Sequence, residues 1–304
     1  MPRIPVQLAP FVRAPNEALL LLTSTLDASA SWLLCRFLCD ALSPDRDEQQ
    51  KDAKKVLLVS WLRDYDFWKQ EVRKSTGLDL GGLRAQRKFA FVDGLSALFL
   101  ADEVEKPRGL QQLPARPIPA KGPPGLHTLS STSLDHASAT ITAALDALDP
   151  SSSTLVILDN PDILLAAVPA LAPSDLTSFF LTLHTRPSVS QVLVHLQSDL
   201  ALRTPSVPPQ PLQIAQQNLL VKTAHMSAKV LGIRLLDTGV ARDVSGVLRA
   251  TVHKDSWTNI GTLGQMGDGR RGDAGLLEEK SLEVLYKVQG DGGVRVFERG
   301  AATV

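Results

Sequence analysis

The segment "LVILDNPDILLAA" (155–167) indicates a buried strand of a parallel sheet that ends in an acidic side chain. An apolar run stops at Asp159, and a second carboxylate, Asp162, follows after a short turn. Nucleotide-hydrolysing enzymes with a phosphate-binding P-loop hold magnesium with an aspartate. This aspartate lies at the end of a buried strand of the same kind. The segment therefore raises the question of whether the chain also contains a phosphate-binding loop.

The phosphate-binding loop is expected between the first strand and the first helix. It needs glycines whose backbone N–H groups surround the phosphates, a lysine for the terminal phosphates and a Ser or Thr for the metal. The chain instead reads "TSTLDASAS" (23–31), without glycine or lysine, and Asp27 would repel phosphate. The Gly-Lys dipeptide occurs nowhere in the 304 residues. We therefore expect no nucleotide-binding site, no catalytic residue, no metal site and no cofactor, with Asp159 simply ending a strand.

Apolar strands alternate with amphipathic helices over the first two thirds of the chain. Strands are predicted at 18–24, 55–61, 88–94, 154–159 and 190–197, and helices at about 29–42, from 64, at 134–148 and at 174–186. In the second helix Tyr65, Trp68 and Val72 fall on one face, which we expect to pack on the sheet. Ser174 is the expected N-cap of the last helix. The alternation predicts a mainly parallel sheet covered by helices on both faces.

The last third of the chain has a different pattern, with short apolar runs separated by turn residues. These runs predict strands at 218–225, 230–238, 245–253, 282–288 and 293–299. We expect antiparallel strands that extend the same sheet, in preference to a second domain. The segment 259–275 is glycine-rich and is predicted to be a surface loop.

Composition and proline content set the domain organisation. Residues 1–15 are predicted to be a flexible tail, and 16–300 one domain with a mobile insertion at about 101–133. Within that insertion, 106–127 contains six prolines, three glycines, four basic residues and no acidic residue, so it is not expected to form a packed element. With 32 basic and 32 acidic residues the net charge is zero. Nucleic acid would therefore have to bind a local patch or a partner subunit.

The N-terminus and the cysteines bear on the cellular compartment and on metal binding. The first 17 residues contain four prolines and no long apolar run, which argues against a signal peptide; cytoplasm and nucleus are the expected locations. Cys35 and Cys39 are four residues apart in one predicted helix. They are interpreted as buried, reduced thiols, because a zinc site would need two further ligands that the spacing of the histidines does not supply.

Three stretches together resemble the sixth subunits of the eukaryotic Elongator complex. They are "VLLVSWLRDYDFWKQEVRK" (56–74), "TLVILDNPDILLAA" (154–167) and "LLDTGVARDVSGVLRAT" (235–251), and "EVLYKVQGDGGVRVFERG" (283–300) is similar to the closing hairpin of the family. The resemblance runs from about residue 16 to 300, except for the proline-rich insertion and 259–275.

The resemblance implies a RecA-like three-layer fold without nucleotide-binding motifs. It implies a heterohexameric ring with Elongator subunits four and five, which attaches to the catalytic subunits and binds tRNA for wobble uridine (U34) modification. Arg203, in the loop after the fifth strand, is the candidate tRNA contact. The alternative is a RecA-type accessory factor in DNA recombination or repair, which would usually keep the phosphate loop and a basic DNA-binding segment.

Overall fold

The computed structural model describes residues 6–12, 17–42, 54–98, 123–204, 206–239, 241–252 and 280–298. The helices span Ala9–Val12 (α1), Ser31–Leu42 (α2), Tyr65–Thr76 (α3), Leu80–Ala85 (α4), Leu134–Asp146 (α5), Ile163–Ala167 (α6), Pro173–His184 (α7), Leu200–Arg203 (α8) and Pro211–Met226 (α9), and a 3-10 turn spans Val6–Leu8. The strands span Ala18–Ser24 (β1), Lys55–Ser60 (β2), Phe89–Asp93 (β3), Leu126–Thr128 (β4), Thr154–Asp159 (β5), Val189–Gln197 (β6), Lys229–Arg234 (β7), Gly246–Val252 (β8), Lys280–Val288 (β9) and Val294–Glu298 (β10).

The strands of the described residues form a single ten-stranded sheet in the order β10-β9-β8-β7-β1-β6-β5-β2-β3-β4. The pairs from β7 through β1 to β4 are parallel, and β8, β9 and β10 continue the sheet by antiparallel pairing. The predicted α/β fold with a mainly parallel sheet and C-terminal antiparallel strands is therefore confirmed. One sheet contains both parts of the chain, as the sequence predicts.

Two hydrophobic cores lie on opposite faces of the sheet. In β1, Leu20 and Leu22 contribute to one core, while Leu19 and Leu21 contribute to the other. The first core contains the buried faces of α2, α3 and α4, and the second contains those of α5, α7 and α9. Because successive side chains of a strand point to opposite faces, a strand covered on both sides is apolar throughout. This explains the uninterrupted apolar runs of β1, β2 and β5.

The helix α3 follows the predicted pattern closely. Asp64 caps its N-terminus by accepting a hydrogen bond from the Phe67 backbone N–H at 2.9 Å. Trp68 and Val72 are fully buried and Tyr65 packs against the same core, as the helical spacing indicates. Gly77 ends the helix in the left-handed conformation with φ of 74°, which glycine adopts without a steric cost.

The predicted strand at 218–225 is wrong, because this segment belongs to the helix α9. Proline at the first helical position, Pro211, is compatible with a helix start because it has no N–H to satisfy. The buried side chains Gln216, Leu219, Leu220 and Thr223 recur at helical spacing. The run Leu219–Leu220–Val221 resembles a strand only locally, and the 3.6-residue period over the whole segment decides the structure.

Two further expectations differ from the structure. Ser174 is not the N-cap of α7, because that helix begins one residue earlier at Pro173. Asp175 instead accepts a hydrogen bond from the backbone N–H of Ala172 at 3.0 Å. The mobile insertion predicted at about 101–133 extends too far, because Leu126–Thr128 pairs with β3 as a strand. In addition, the flexible tail predicted at 1–15 is wrong for residues 6–12, where a 3-10 turn and α1 place Leu8 and Phe11 in the first core. Residues 1–5, 13–15, 99–122 and the predicted loop 259–275 lie outside the described residues.

Candidate functional site

The carboxyl ends of the parallel strands meet at one edge of the sheet, where α/β proteins bind their ligands. Three adjacent strands contribute polar side chains there: Ser24 from β1, His195 from β6 and Asp159 from β5. Ser60, the last residue of β2, completes the row on the other side of Asp159. All four side chains are buried. The fold therefore gathers, at its ligand-binding edge, residues that are far apart in the sequence.

The four side chains form a continuous hydrogen-bonded network. Oδ1 of Asp159 lies 2.8 Å from Nδ1 of His195, and Oδ2 accepts a hydrogen bond from the Ser60 hydroxyl at 2.7 Å. On the far side of the imidazole, Nε2 lies 2.8 Å from the Ser24 hydroxyl. Arg63 adds a weaker contact, with its Nη1 3.9 Å from Oδ2 of Asp159. Both carboxylate oxygens of Asp159 therefore have partners from the chain itself.

The hydrogen bonds of His195 follow from what each atom can donate. An ionised carboxylate only accepts, so Nδ1 carries the proton that bonds Asp159. In the neutral imidazole Nε2 is then an acceptor and the Ser24 hydroxyl donates to it. The resulting order of serine, histidine and aspartate is that of a hydrolase triad, in which the hydroxyl must reach a substrate. Here Ser24 and His195 are each only 2% exposed.

The connection between β1 and α2 occupies the position of a phosphate-binding loop. It is a tight turn, closed by a hydrogen bond from the Ala28 N–H to the Thr25 carbonyl at 3.0 Å. The backbone N–H of Leu26 donates to Oδ1 of Asp199, the residue before α8, at 2.8 Å. A phosphate cradle needs several backbone N–H groups directed at one anion. In this turn at least one of those groups is directed at a carboxylate of the chain.

Asp162 lies in the turn that follows β5, directly before α6. Asn160 adopts the left-handed conformation with φ of 58°, which asparagine tolerates better than most residues. Oδ2 of Asp162 accepts hydrogen bonds from the Gln197 backbone N–H at 2.9 Å and from Nε2 of Gln216 at 2.7 Å. Burial raises the pKa of Asp162 above its ordinary value of 3.8, and these hydrogen bonds oppose the shift.

The candidate tRNA contact Arg203 is exposed at the end of the short helix α8. This helix follows β6 directly, so Arg203 lies at the carboxyl edge of the sheet. The structure therefore gives the arginine the solvent access that a phosphate contact needs. Asp199, four residues earlier, is tied to the turn at Leu26.

No family model matches the chain, and no curated protein is significantly similar to it. A crystal structure of an uncharacterized protein from Pyrococcus horikoshii, in complex with an unknown peptide, has the same fold. The two chains superpose with a TM-score of 0.54 at 11% identity, and the match covers 97% of each. At this identity the likeness shows the shared fold over essentially the whole chain and nothing about activity.

The cysteines are buried side chains of the first core. Cys35 is fully buried and Cys39 is 1% exposed, and neither forms a disulfide bond. Burial raises the pKa of Cys35 to about 12, so its reactive thiolate form is suppressed at neutral pH. No group of three or more potential metal ligands occurs within the described residues. Of the described helices, none has the length and hydrophobicity needed to cross a membrane.

Sequence reasoning identified Asp159 but missed its partners. His195 is embedded in the apolar strand "SQVLVHLQ", and only the strand order places β6 between β1 and β5. Ser24 and Ser60 carry the one available signal, because each is the polar last residue of a largely apolar strand. Residues with that placement gather at the carboxyl edge of a parallel sheet.

Proposed function

We propose that the protein is the sixth subunit of the Elongator complex and that it is a non-catalytic member of a heterohexameric ring. Its ring partners would be Elongator subunits four and five, and the ring would bind tRNA and support wobble uridine modification by the catalytic subunits. Cytoplasm and nucleus are the compartments that this role requires.

The observation that supports the proposal is the internal pairing of Asp159. A P-loop enzyme needs this carboxylate for the metal ion and a glycine-rich loop for the phosphates. In this chain His195 and Ser60 engage both oxygens of Asp159, and a tight turn at Thr25–Ala28 stands in place of the loop. A RecA-like fold with its nucleotide edge filled by its own side chains fits an architectural subunit.

The stretches that resemble Elongator subunit six lie on elements that position this edge. The first covers β2 and α3, and the second covers β5 and α6. The third begins directly after β7 and continues into β8 at Gly246, so that Asp-Val-Ser-Gly leads into a strand. A ring of unlike subunits uses head-to-tail contacts that close by rotation, and a subunit without a nucleotide site can supply one side of each contact.

Affinity purification from the native host tests the proposal directly. A tagged copy of the chain, expressed at its natural level, should recover Elongator subunits four and five in equal amounts, together with the catalytic subunits. Recovery of recombination proteins without any Elongator subunit would favour the alternative of a DNA-repair accessory factor. A tagged RecA-like protein from the same host serves as the control for non-specific recovery.

A further inference from the structure

A small pocket opens at the carboxyl edge beside the buried network, between α6, α8 and α9. Its volume is about 180 Å³, whereas sites for drug-sized ligands have volumes of roughly 300–1,000 Å³. The walls are largely aliphatic and are formed by Leu62, Ile163, Ala166, Leu202 and Leu212. The pocket therefore suits a group of side-chain size with an alkyl portion.

Three of the residues that line this pocket carry a buried oxygen without a hydrogen-bond partner. Oδ1 of Asp162, Oδ1 of Asn160 and Oε1 of Gln197 are all buried, and none has a hydrogen-bond donor among the described residues. All three residues line the pocket, and Asp162 and Asn160 are only 6% and 2% exposed. Buried polar atoms are nearly always hydrogen-bonded. The three oxygens thus mark a place for a ligand with several N–H donors.

Asp162 is fixed in place by groups that bond one of its oxygens and leave the other without a hydrogen-bond partner. Its Oδ2 is held by Gln197 and Gln216, as described above, so the carboxylate cannot rotate freely. Within the described residues, no lysine or arginine forms an ion pair with Asp162, although the His195 imidazole is close enough to influence it. A buried carboxylate without a cationic partner is costly to ionise, and a bound cation would reverse that cost.

We propose that this pocket binds an aliphatic ammonium group, with the charge against Asp162 and the alkyl chain along the leucine-lined walls. An ammonium has three N–H donors and no acceptor, which matches the three acceptor oxygens. The group belongs either to a lysine side chain of a bound protein or to a free alkylamine. This inference stands on the pocket alone and holds whether or not the protein is an Elongator subunit.

Titration of the purified full chain with n-butylammonium chloride tests the proposal. Binding is followed by NMR through the methyl groups of Leu202 and Leu212, which line the pocket. Saturable, millimolar binding is expected for butylammonium. The neutral analogue 1-butanol has the same alkyl chain without the charge. We expect its affinity to be at least about tenfold lower, because hydrogen bonds to a charged group are lost.

Two variants separate the carboxylate from the shape of the pocket. Asp162→Asn keeps an oxygen for Gln197 and Gln216 and offers an amide N–H to the other acceptors, so it should fold and lose about tenfold or more in butylammonium affinity. Ala166→Leu should block the pocket from its rim without touching Asp162. Ala167→Leu, the next residue of α6 and equally exposed, does not line the pocket and should bind as the unmodified protein does.

The source of the ammonium group is distinguished by two further ligands. Nα-acetyl-lysine N-methylamide presents the group from a peptide backbone, and 1,4-diaminobutane presents it as a free polyamine; tighter binding of either one supports the proposal and assigns the source. Absence of saturable binding by all three amines would overturn the proposal. Equal binding of butylammonium to the protein and to Asp162→Asn would overturn it as well.

Discussion

His195 and Asp159 form a buried pair, with Nδ1 of the imidazole 2.8 Å from Oδ1 of the carboxylate. This pair lies at the end of the central strand where a P-loop enzyme keeps its metal-binding carboxylate available. In this protein, side-chain hydrogen bonds at this position connect the four neighbouring strands β1, β6, β5 and β2. Its contribution is therefore expected to appear in stability and assembly.

Removal of His195 is expected to destabilise the fold strongly. His195→Ala leaves the Asp159 carboxylate buried without its main hydrogen-bond partner, and leaving a buried polar group unsatisfied costs about 1–3 kcal/mol, more if the group is charged. Urea unfolding followed by circular dichroism gives the free energy of unfolding. His225→Ala, an exposed histidine of α9, is the matched control and should change stability by less than about 0.5 kcal/mol. Similar changes in the free energy of unfolding for both variants would show that the network does not stabilise the fold.

The isolated protein is expected neither to bind nor to hydrolyse ATP. The turn at Thr25–Ala28 has no lysine or glycine for the phosphates, and Asp159 is internally paired. Isothermal titration of the chain with ATP and magnesium should therefore give no measurable heat of binding. Micromolar affinity for ATP would contradict this expectation. For the same reason Asp159→Ala should alter stability while leaving any ATPase activity of the assembled ring nearly unchanged.

The stability of the protein should depend on pH through Asp162. Its pKa in the folded state is raised above the ordinary value of 3.8 by burial. At pH values between the pKa of the unfolded chain and that of the folded protein, the folded protein therefore keeps a proton that the unfolded chain has lost. This contribution to stability is complete below about pH 3.8 and is lost as the pH rises through the folded pKa. Asp162→Asn should abolish the loss, so unfolding free energies measured between pH 4 and pH 8 should fall less steeply for the variant.

An exposed carboxylate provides the control for this pH dependence. Asp146 lies on the surface at the end of α5, and Asp146→Asn is the control variant, measured over the same pH range. Identical slopes for the protein and for Asp162→Asn would show that Asp162 keeps an ordinary pKa.

Arg203 is expected to make the tRNA contact that the Elongator proposal calls for. Two copies per ring would supply about two phosphate contacts, so Arg203→Ala should lower the log–log salt slope of tRNA binding by about 1.4–1.8. The measurement is tRNA binding by the assembled ring over a series of salt concentrations. Lys222→Ala, an exposed cation of α9, is the control. Unchanged affinity and slope for Arg203→Ala would assign the tRNA site to the partner subunits or to the basic segment 106–121.

The parallel part of the fold could be predicted from sequence because its strands are apolar on both faces. The predicted bounds of β1 and β5 agree with the structure, since each ends at a polar residue that interrupts the apolar run. The sequence of α9 predicts a strand at 218–225 because three consecutive apolar residues occur at 219–221. The buried face of the helix also includes the polar residues Gln216 and Thr223. Polar residues on a buried helix face obscure the period that sequence reasoning relies on.

The site could be predicted only in part, since its contacts are long-range. Asp159 is identifiable from its place at a strand end. Its partner His195 lies 36 residues later in the sequence, and Ser24 lies 171 residues before His195. Their meeting depends on the insertion of β6 between β1 and β5. Strand order is set by the packing of the whole domain, and no local pattern in the sequence encodes it.

Exposed leucines at the carboxyl edge suggest where a ring partner would attach. Leu26 and Leu200 are 84% and 67% exposed, and the hydrogen bond from Leu26 to Asp199 keeps them on neighbouring turns. Leu26→Asp combined with Leu200→Asp should reduce recovery of subunits four and five on co-expression by at least about tenfold, because large exposed apolar patches commonly mark interaction sites. Leu181→Asp, on α7, is the control, and full recovery with the double variant would exclude this edge as the ring contact.

The ring itself is tested most directly by native mass spectrometry of the protein co-expressed with Elongator subunits four and five. We expect one dominant species whose mass corresponds to two copies of each of the three subunits, and its formation should not require ATP. A spectrum in which the protein stays a stable monomer, while subunits four and five are present and folded, would contradict its assignment to the ring.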